Sequence, residues 1–300
     1  MQKISVSQLM NEYMSKHRTT FNAPDWYLLV DGAQLTEQQI QNLKRSGARA
    51  FLSDMEEFEH LEGATAWLMA MGGSANAFEV LTTWWTINPE ACSWLYFPGG
   101  MTALVQHLRN QIKAKVEDGR VLTLRFWDAR VFLALQHPEL ASIALRVGSG
   151  VPFWFVAPQS VLSAVTSDAP LVADTHPHAI AKAQQDRLAQ LLLPYAVLGE
   201  LKETMPEMLS LFTRQEQYST TSNLITAAQG YGLEALNDLV AFASLGFDFH
   251  PEFYKHPDVA PKLDELRTGK ELGEVVDSIP PQTWDAIGKR YPKSKQALEI

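Results

Sequence analysis

The sequence predicts an α/β N-terminal lobe over residues 1–160, in which short strands alternate with helices, and an all-α C-terminal lobe over residues 161–300. Short apolar runs alternate with amphipathic patterns in the first part, whereas only helical patterns follow Ser160. With 46% hydrophobic and 20% charged residues, the chain of 300 residues also has the composition of a protein that buries a core. These three observations favour two folded lobes over a disordered chain.

Six apolar runs in the first lobe have the length and composition of strands. Turn-forming residues close several of them, such as the pair Asp31-Gly32 and the triplet Pro98-Gly99-Gly100. The run at residues 151–158 is expected to be the last strand of the chain. The six runs are DWYLLVDG (25–32), ARAFL (48–52), ATAWLMAMGG (64–73), ACSWLYFPGG (91–100), RVLTLRFW (120–127) and VPFWFVAP (151–158).

Helices are predicted between these strands from their capping residues and their apolar periodicity. Thr36 is expected to begin a helix that Gly47 ends, and Ser74 to begin a second. Residues 102–119 predict one long amphipathic helix, and Asp128 stands at the N-cap position of the helix that follows it. The apolar positions in register within residues 102–119 are Leu104, Leu108, Ile112 and Val116.

The second lobe is predicted to begin after a loop over residues 160–178. Its first helix is expected to stop at Pro194, because proline inside a helix removes a backbone hydrogen bond. The segments with helical patterns are 179–194, 195–205, 206–218, 220–232, 233–246, 260–269, 270–278 and 281–291.

Charge and cysteine content exclude several classes of protein. The formal net charge is −9, of which −2 comes from residues 1–160 and −7 from residues 161–300. No basic stripe is present, so we do not expect nucleic acid as a partner. Cys92 is the single cysteine, which excludes an intrachain disulfide and a cysteine-based zinc cluster. The N-terminal segment lacks the apolar core of a signal peptide, and no apolar run is long enough to span a membrane. We therefore expect a cytoplasmic protein with no membrane partner.

Motifs for catalysis or cofactor binding are weak. The glycine-rich phosphate-binding patterns and the GxSxG pattern of serine hydrolases are absent, so no cofactor and no catalytic residue are predicted. The alternative is a hydrolase or metal-dependent enzyme centred on Ser149, or on His176 and His178 near Asp174. The other interpretation of those histidines is a helix start, with Thr175 or His176 as the cap and Pro177 in the first turn. We favour that interpretation and predict no metal site.

Two features indicate a docking surface in the first lobe. Glu56 and Glu57 belong to an acidic run that is most simply a solvated loop and that could also contact a partner. Trp84 and Trp85 are adjacent in a predicted helix, where successive side chains diverge by about 100°. Both cannot face one core, so Trp84 is a candidate for a protein contact.

The stretch VLTLRFWDARVFLALQHP, residues 121–138, places three charges in an apolar sequence. If residues 121–127 form a strand, Arg125 lies among apolar neighbours and needs a carboxylate or carbonyl partner. Asp128 is expected to cap the next helix. Arg130 would lie in the first turn of that helix, where the positive end of the helix dipole disfavours a cation. The first two charges predict a structural clamp, and Arg130 is left as a candidate for binding.

The sequence LVQHLRNQI followed by LTLRFWDARVFLAL resembles the adaptor-chaperones of bacterial type VI secretion, the Tap/Tec group. That family has a helix containing His-Leu-Arg and a strand ending Arg-Phe-aromatic-Asp-Pro-Arg, matched here by His107-Leu108-Arg109 and by Arg125 to Arg130. Ala129 replaces the usual proline of the family. The early strand YLLVDGA also fits, and the resemblance covers about Trp26 to Phe155.

The resemblance implies a non-enzymatic adaptor that binds a type VI secretion effector in the cytoplasm and helps to load it onto a VgrG-type spike protein. Arg130 and Arg109 are then candidates for partner binding, and His107, Arg125 and Asp128 form the structural part of the motif. We expect the α/β lobe to contact the more uniform partner and the acidic helical lobe to contact the effector. A generic protein-binding scaffold is the remaining alternative.

Overall fold

A computed structural model of the chain describes residues 25–45, 47–50, 65–70, 88–159, 163–167, 170 and 176–288. The chain divides into two compact units, Met1–Leu192 and Leu193–Ile300. Short strands in sheets alternate with helices in the N-terminal region, and residues 182–288 are helical apart from the turns that join the helices. The predicted fold class, an α/β lobe followed by an all-α lobe, is therefore confirmed.

The described strands all precede the helical region. Their bounds are β1 Trp26–Asp31, β2 Arg49–Ala50, β3 Ala66–Ala70, β4 Cys92–Tyr96, β5 Lys113–Val116, β6 Val121–Thr123, β7 Phe153–Val156, β8 Ser163–Thr166 and β9 His178–Ile180.

The main sheet has the strand order β2-β3-β1-β4-β7-β8, and every neighbouring pair in it is antiparallel. All six residues of the central strand β1 are buried. Tyr27 and Leu29 join the core on one face, while Trp26, Leu28 and Val30 join a second apolar cluster on the other. Both faces of β1 are covered, which explains why its sequence is a continuous apolar run and does not alternate with polar residues.

A smaller sheet has the order β6-β5-β9, with β5 antiparallel to β6 and parallel to β9. Three α-helices follow β4 in the first unit, and their buried residues join the core on one face of the main sheet. The helix that Thr36 was predicted to begin is present, and Thr36 and Gln39 exchange hydrogen bonds of 3.3 Å and 2.9 Å as a capping box. The α-helices up to the unit boundary are α1 Glu37–Arg45, α2 Gly100–Asn110, α3 Ala129–Leu135, α4 Ala141–Gly148 and α5 Lys182–Thr204, which continues into the second unit.

The second unit has its own core, in which Phe242 and Phe253 are fully buried. Thr213 and Glu216 form a capping box at the start of its longest helix, α7. Within the described residues, no helix combines the length and the apolarity needed to cross a bilayer. The remaining helices are α6 Pro206–Leu209, α7 Arg214–Gly230, α8 Leu236–Asp248, α9 Ala260–Leu263, α10 Leu272–Asp277 and α11 Pro281–Gly288.

The long helix predicted over residues 102–119 is wrong beyond its first half. Helix α2 ends at Asn110, and residues 113–116 form β5. Ala114 and Val116 are buried there while Lys113 and Lys115 are exposed, which is the period of two of a strand. Apolar residues four positions apart lie on one face of either a helix or a strand, so their spacing does not distinguish these two structures.

The strand predicted over residues 121–127 is also too long. β6 ends at Thr123, and its three residues are all exposed. Leu124 and Phe126 are buried in the turns that follow, and Arg125 therefore lies outside the strand.

The segment expected to be a loop, residues 160–178, contains β8 and the first residue of β9. β8 pairs with β7 and β9 pairs with β5, so both belong to the first unit. Both strands accordingly lie within the compact unit that extends to Leu192.

Helix α5 does not stop at Pro194, as the sequence predicted, but continues to Thr204. Proline inside a helix costs about 3 kcal/mol. Pro194 is itself buried, and Val197, Leu198 and Leu201 in the following turns join the core of the second unit. Their burial offsets the missing backbone hydrogen bond.

Candidate protein-interaction site

The residues of the predicted motif meet a buried carboxylate at the end of β1. Asp31 is completely buried, and its Oδ2 atom accepts hydrogen bonds of 2.8 Å from Arg125 Nη2 and from Gln34 Nε2. Its Oδ1 atom accepts a third bond, of 3.2 Å, from the backbone of Ala33. Burial raises the pKa of Asp31 above its ordinary value, and the charge of Arg125 opposes that rise. The prediction that Arg125 needs a carboxylate partner fits this geometry.

Asp128 is the N-cap of α3, as predicted, because its Oδ1 atom accepts a 2.9 Å hydrogen bond from the backbone of Arg130. The side chain of Arg130 folds back onto the same carboxylate, with Nε 3.0 Å from Oδ1 and Nη2 2.7 Å from Oδ2. Arg130 Nη1 is also 3.9 Å from Oε2 of Glu90. The pKa of Arg130 is raised, because the bonds and charges of Asp128 and Glu90 outweigh the lowering effect of burial.

These two groups are joined into one charge cluster, defined by Asp31, Glu90, Arg125, Asp128 and Arg130. The link is Gln34, whose Nε2 atom donates both to the Asp31 carboxylate and, at 3.2 Å, to the backbone carbonyl of Glu90. Asp31 and Glu90 were not identified from the sequence, because each is a single acid with no motif around it. An Asp that closes an otherwise apolar strand was the available indication.

The two arginines of the cluster differ in exposure. The side chain of Arg125 is 45% exposed and that of Arg130 is 24% exposed. Within the described part of the chain, the bond to Asp31 is the one hydrogen bond of the Arg125 guanidinium. The expectation that the charge of Arg130 gains nothing locally is wrong, since the N-cap carboxylate two residues earlier pairs with it. Arg125, by contrast, has guanidinium N–H groups that make no hydrogen bond within the described part of the chain.

Aromatic packing fixes the backbone between the two arginines. Phe126 and Trp127 are buried and contact each other edge to face, with ring centroids 5.5 Å apart. Phe126 also meets Trp154 of β7 edge to face, and Phe132 of α3 stacks on the same indole with centroids 4.0 Å apart. This packing holds Arg125 at the surface while its neighbours lie in the core.

The other motif residues lie on α2. His107 is buried, and its Nε2 atom is 3.0 Å from the carbonyl oxygen of Val147, so it contacts α4 and not the charge cluster. Burial lowers the pKa of His107, and the bond to Val147 only partly compensates. Arg109 is partly exposed in the last turn of α2. Glu56, Glu57 and Trp84 lie outside the described residues.

The residues of the alternative enzyme sites make contacts that belong to the fold. Ser149 is buried at the end of α4, and its hydroxyl donates a 2.9 Å hydrogen bond to the carbonyl of Arg146. His178 is buried in β9, and the backbone carbonyl of His176 accepts a hydrogen bond from Arg146. The prediction that a helix starts at residues 175–177 is wrong, because residues 178–180 form β9 and the next helix begins at Lys182. Among the described residues, which omit Asp174, no group of three potential ligands is placed to hold a metal.

Cys92 lies within β4 at full burial, and burial raises the pKa of its thiol. A thiol in such surroundings stays protonated and unreactive. The remaining candidate site is the charge cluster, in which ion pairs fix the exposed guanidinium of Arg125.

Comparison with known proteins gives one match. Residues 26–142 match the family model described as "Domain of unknown function (DUF4123)", and this range contains the whole charge cluster and the motif of α2. No curated protein and no solved structure matches the chain.

Proposed function

We propose that this protein is a non-enzymatic adaptor that binds a type VI secretion effector in the cytoplasm and helps to load it onto a VgrG-type spike protein. The observation that carries the proposal is the family match over residues 26–142. The same range contains the His-Leu-Arg and Arg-Phe-Trp-Asp-Ala-Arg sequences through which the chain resembles these adaptors. The resemblance supplies the role, and the family model supports it over the first lobe.

The geometry supports binding over chemistry. Ser149 and His178, the centres of the alternative enzyme, are both buried, and the Ser149 hydroxyl is hydrogen bonded to a backbone carbonyl. Arg125 is instead exposed and oriented by Asp31, and its remaining guanidinium donors are available to a carboxylate of a partner protein. In this proposal Arg125 takes over the partner contact that the sequence assigned to Arg130.

Co-purification from the native host tests the proposal. The tagged protein should retain the products of a neighbouring effector gene and a neighbouring spike gene at low and at moderate salt. Replacing Arg125 by Glu should reduce retention of one of them about tenfold, as expected for an interface arginine. Arg120→Glu is the matched control, since Arg120 is 66% exposed and, among the residues that the structure describes, pairs with Asp118 in a surface turn. Failure of both neighbours to co-purify would contradict the adaptor function.

A further inference from the structure

The second unit has an open groove between the C-terminal end of α5 and one face of α8, which we call the α5–α8 groove. Glu200 and Met205 line one side, and α8 lines the other from Asn237 to Asp248. The groove encloses about 660 Å³. Along α8 it extends over eleven residue steps, or about 16 Å at 1.5 Å per residue. That length matches about three turns of a second helix.

The floor of the groove is apolar. Met205, Val240 and Ala241 line it, and Ala241 is exposed. Leu236 lies one turn before Val240 on the same helix, and its side chain is 39% exposed. These side chains form a stripe that a helix with apolar residues at three- and four-residue spacing could cover.

The charged residues that line the groove are carboxylates. Glu200 and Asp248 stand at the two sides, and no lysine, arginine or histidine is among the described lining residues. Neither carboxylate has a side-chain hydrogen bond or ion pair within the described part of the chain. Some other acids of this unit are paired, such as Glu252 with Lys255 and Glu265 with Lys262. The groove therefore has unpaired negative charge.

Helix dipoles strengthen this negative potential. Helix α5 ends at Thr204 and α8 ends at Asp248, and both residues line the groove. The C-terminal end of a helix carries partial negative charge. α5 has Lys202 in its last turn, whereas α8 has no basic residue in its last turn to neutralise it. Residues 193–288 contain fifteen Asp and Glu against six Lys and Arg, so the surroundings reinforce the same sign. The complementary ligand is a cation with an apolar face.

We propose that the α5–α8 groove binds a basic amphipathic helix of a partner protein. The inference rests on the proposed function for the identity of the partner, which would be the effector. Apolar side chains of that helix would cover Val240 and Ala241, and its lysines or arginines would pair with Glu200 and Asp248. Recognition of a helix in a groove needs only anchors on successive turns, which the groove length provides.

The test uses the full chain and two fluorescent twelve-residue peptides with Leu at positions i, i+3, i+4 and i+7. One peptide has Lys at its other positions, and its twin has Glu. The dissociation constant of the Lys peptide, measured by fluorescence anisotropy, should be lower than that of its twin by a factor of about ten or more. Ala241→Trp, which fills the groove, and the pair Glu200→Lys with Asp248→Lys should each weaken binding about tenfold.

Matched controls separate the groove from general attraction to an acidic protein. Glu274→Lys with Asp277→Lys changes the net charge equally on exposed positions of α10, and Ala286→Trp adds the same indole on an exposed position of α11. Both controls should bind the Lys peptide within about twofold of the unaltered protein. Circular dichroism should show the same helix content for all variants. Equal binding by groove and control variants, or equal binding of both peptides, would overturn the proposal.

The same variants separate this inference from the proposed function. If the Lys peptide binds through the groove and the neighbouring effector does not co-purify, the groove stands and the effector assignment fails. If the effector co-purifies equally with the groove variants and the controls, the groove is not its binding site. Self-association of the unaltered protein that Ala241→Trp abolishes would identify a second copy as the occupant and overturn the proposal.

Discussion

The Nη2 atom of Arg125 lies 2.8 Å from the Oδ2 atom of Asp31, and the two side chains differ completely in exposure, 45% against 0%. A half-exposed guanidinium thus holds a carboxylate that has no contact with solvent. Arg125 can be approached by a partner, whereas Asp31 can only act through Arg125. Under the proposed function, stability and recognition would both depend on Arg125.

Arg125→Ala should destabilise the protein in a manner that depends on pH. Burial raises the pKa of Asp31, so the folded state holds its proton to a higher pH than the unfolded chain, and the Asp31 contribution to stability falls as pH rises through that range. Loss of Arg125 raises this pKa further. Chemical denaturation should show little difference below about pH 4 and a loss of about 1–3 kcal/mol near neutrality, reduced from a fully buried pair by the exposure of Arg125.

Asp31→Asn is the control for that series. It removes the buried charge and keeps an oxygen acceptor for the backbone of Ala33, while the amide nitrogen replaces the oxygen that faces Gln34 and Arg125. The released Arg125 can be hydrated. In the Asp31→Asn background, Arg125→Ala should therefore change the unfolding free energy by the same amount at every pH. A loss in Arg125→Ala that is the same at every pH would show that Asp31 is not the cause.

Arg130→Ala and Asp128→Ala should each lower the free energy of unfolding by about 1–3 kcal/mol, because both break the charge-assisted bonds at the start of α3. Thermal unfolding measures the effect. Arg120→Ala removes an exposed pair of similar length, 2.7 Å to Asp118, and should leave the melting temperature unchanged. Unchanged melting of Arg130→Ala would return this residue to the partner-binding candidates.

His107 should make the protein less stable as pH falls. Its Nδ1 atom is buried without a partner in the described structure, so protonation there would bury an unpaired donor. Because its folded pKa is lowered, its contribution is complete above the unfolded value of about 6.5 and is lost as pH falls below it. His107→Gln should flatten this decline in denaturation measured between pH 7 and 5, while His250→Gln should keep it. The same slope in both variants would contradict the assignment.

Gly246→Ala should be destabilising although alanine favours helices. A Cβ atom at this position of α8 would lie 2.6 Å from Cδ2 and 3.1 Å from Cγ of Leu224 on α7. Overpacking of this kind costs about 1–3 kcal/mol, against a gain in helix propensity of about 1 kcal/mol. Gly199→Ala in α5, where a Cβ meets no atom within 4 Å, should stabilise instead. The double variant Gly246→Ala with Leu224→Ala should lose less stability than the sum of the losses of the two single variants.

Local rules accounted for the elements whose determinants are local. β1 was predictable because an apolar run ends in Asp-Gly, and the cap at Asp128 because a cap depends on neighbouring backbone amides. Helix α2 was predicted too long because residues 104, 108, 112 and 116 satisfy either period. β8 and β9 were missed because short strands are stabilised by their partners β7 and β5, which sequence patterns do not reveal.

The charge cluster was only partly predictable for the same reason. Arg125 and Asp31 are 94 residues apart, and nothing in the sequence distinguishes Asp31 from the other acids as the partner. The local pairing of Arg130 was not predicted from the helix dipole. The side chain instead reaches back two residues to Asp128, where the attraction of a full negative charge outweighs the partial charge of the helix end.

Helix α5 determines how the protein can be divided for study. Leu188 and Leu191 pack on the core of the first unit, and Val197 and Leu201 belong to the core of the second. A fragment ending at residue 160 would lose β9 and those two leucines, and its exposed core would favour aggregation. A cut after Leu192 keeps them in place. The second fragment would then begin with Pro194 in the first turn of its helix, the position where the missing amide hydrogen has no cost.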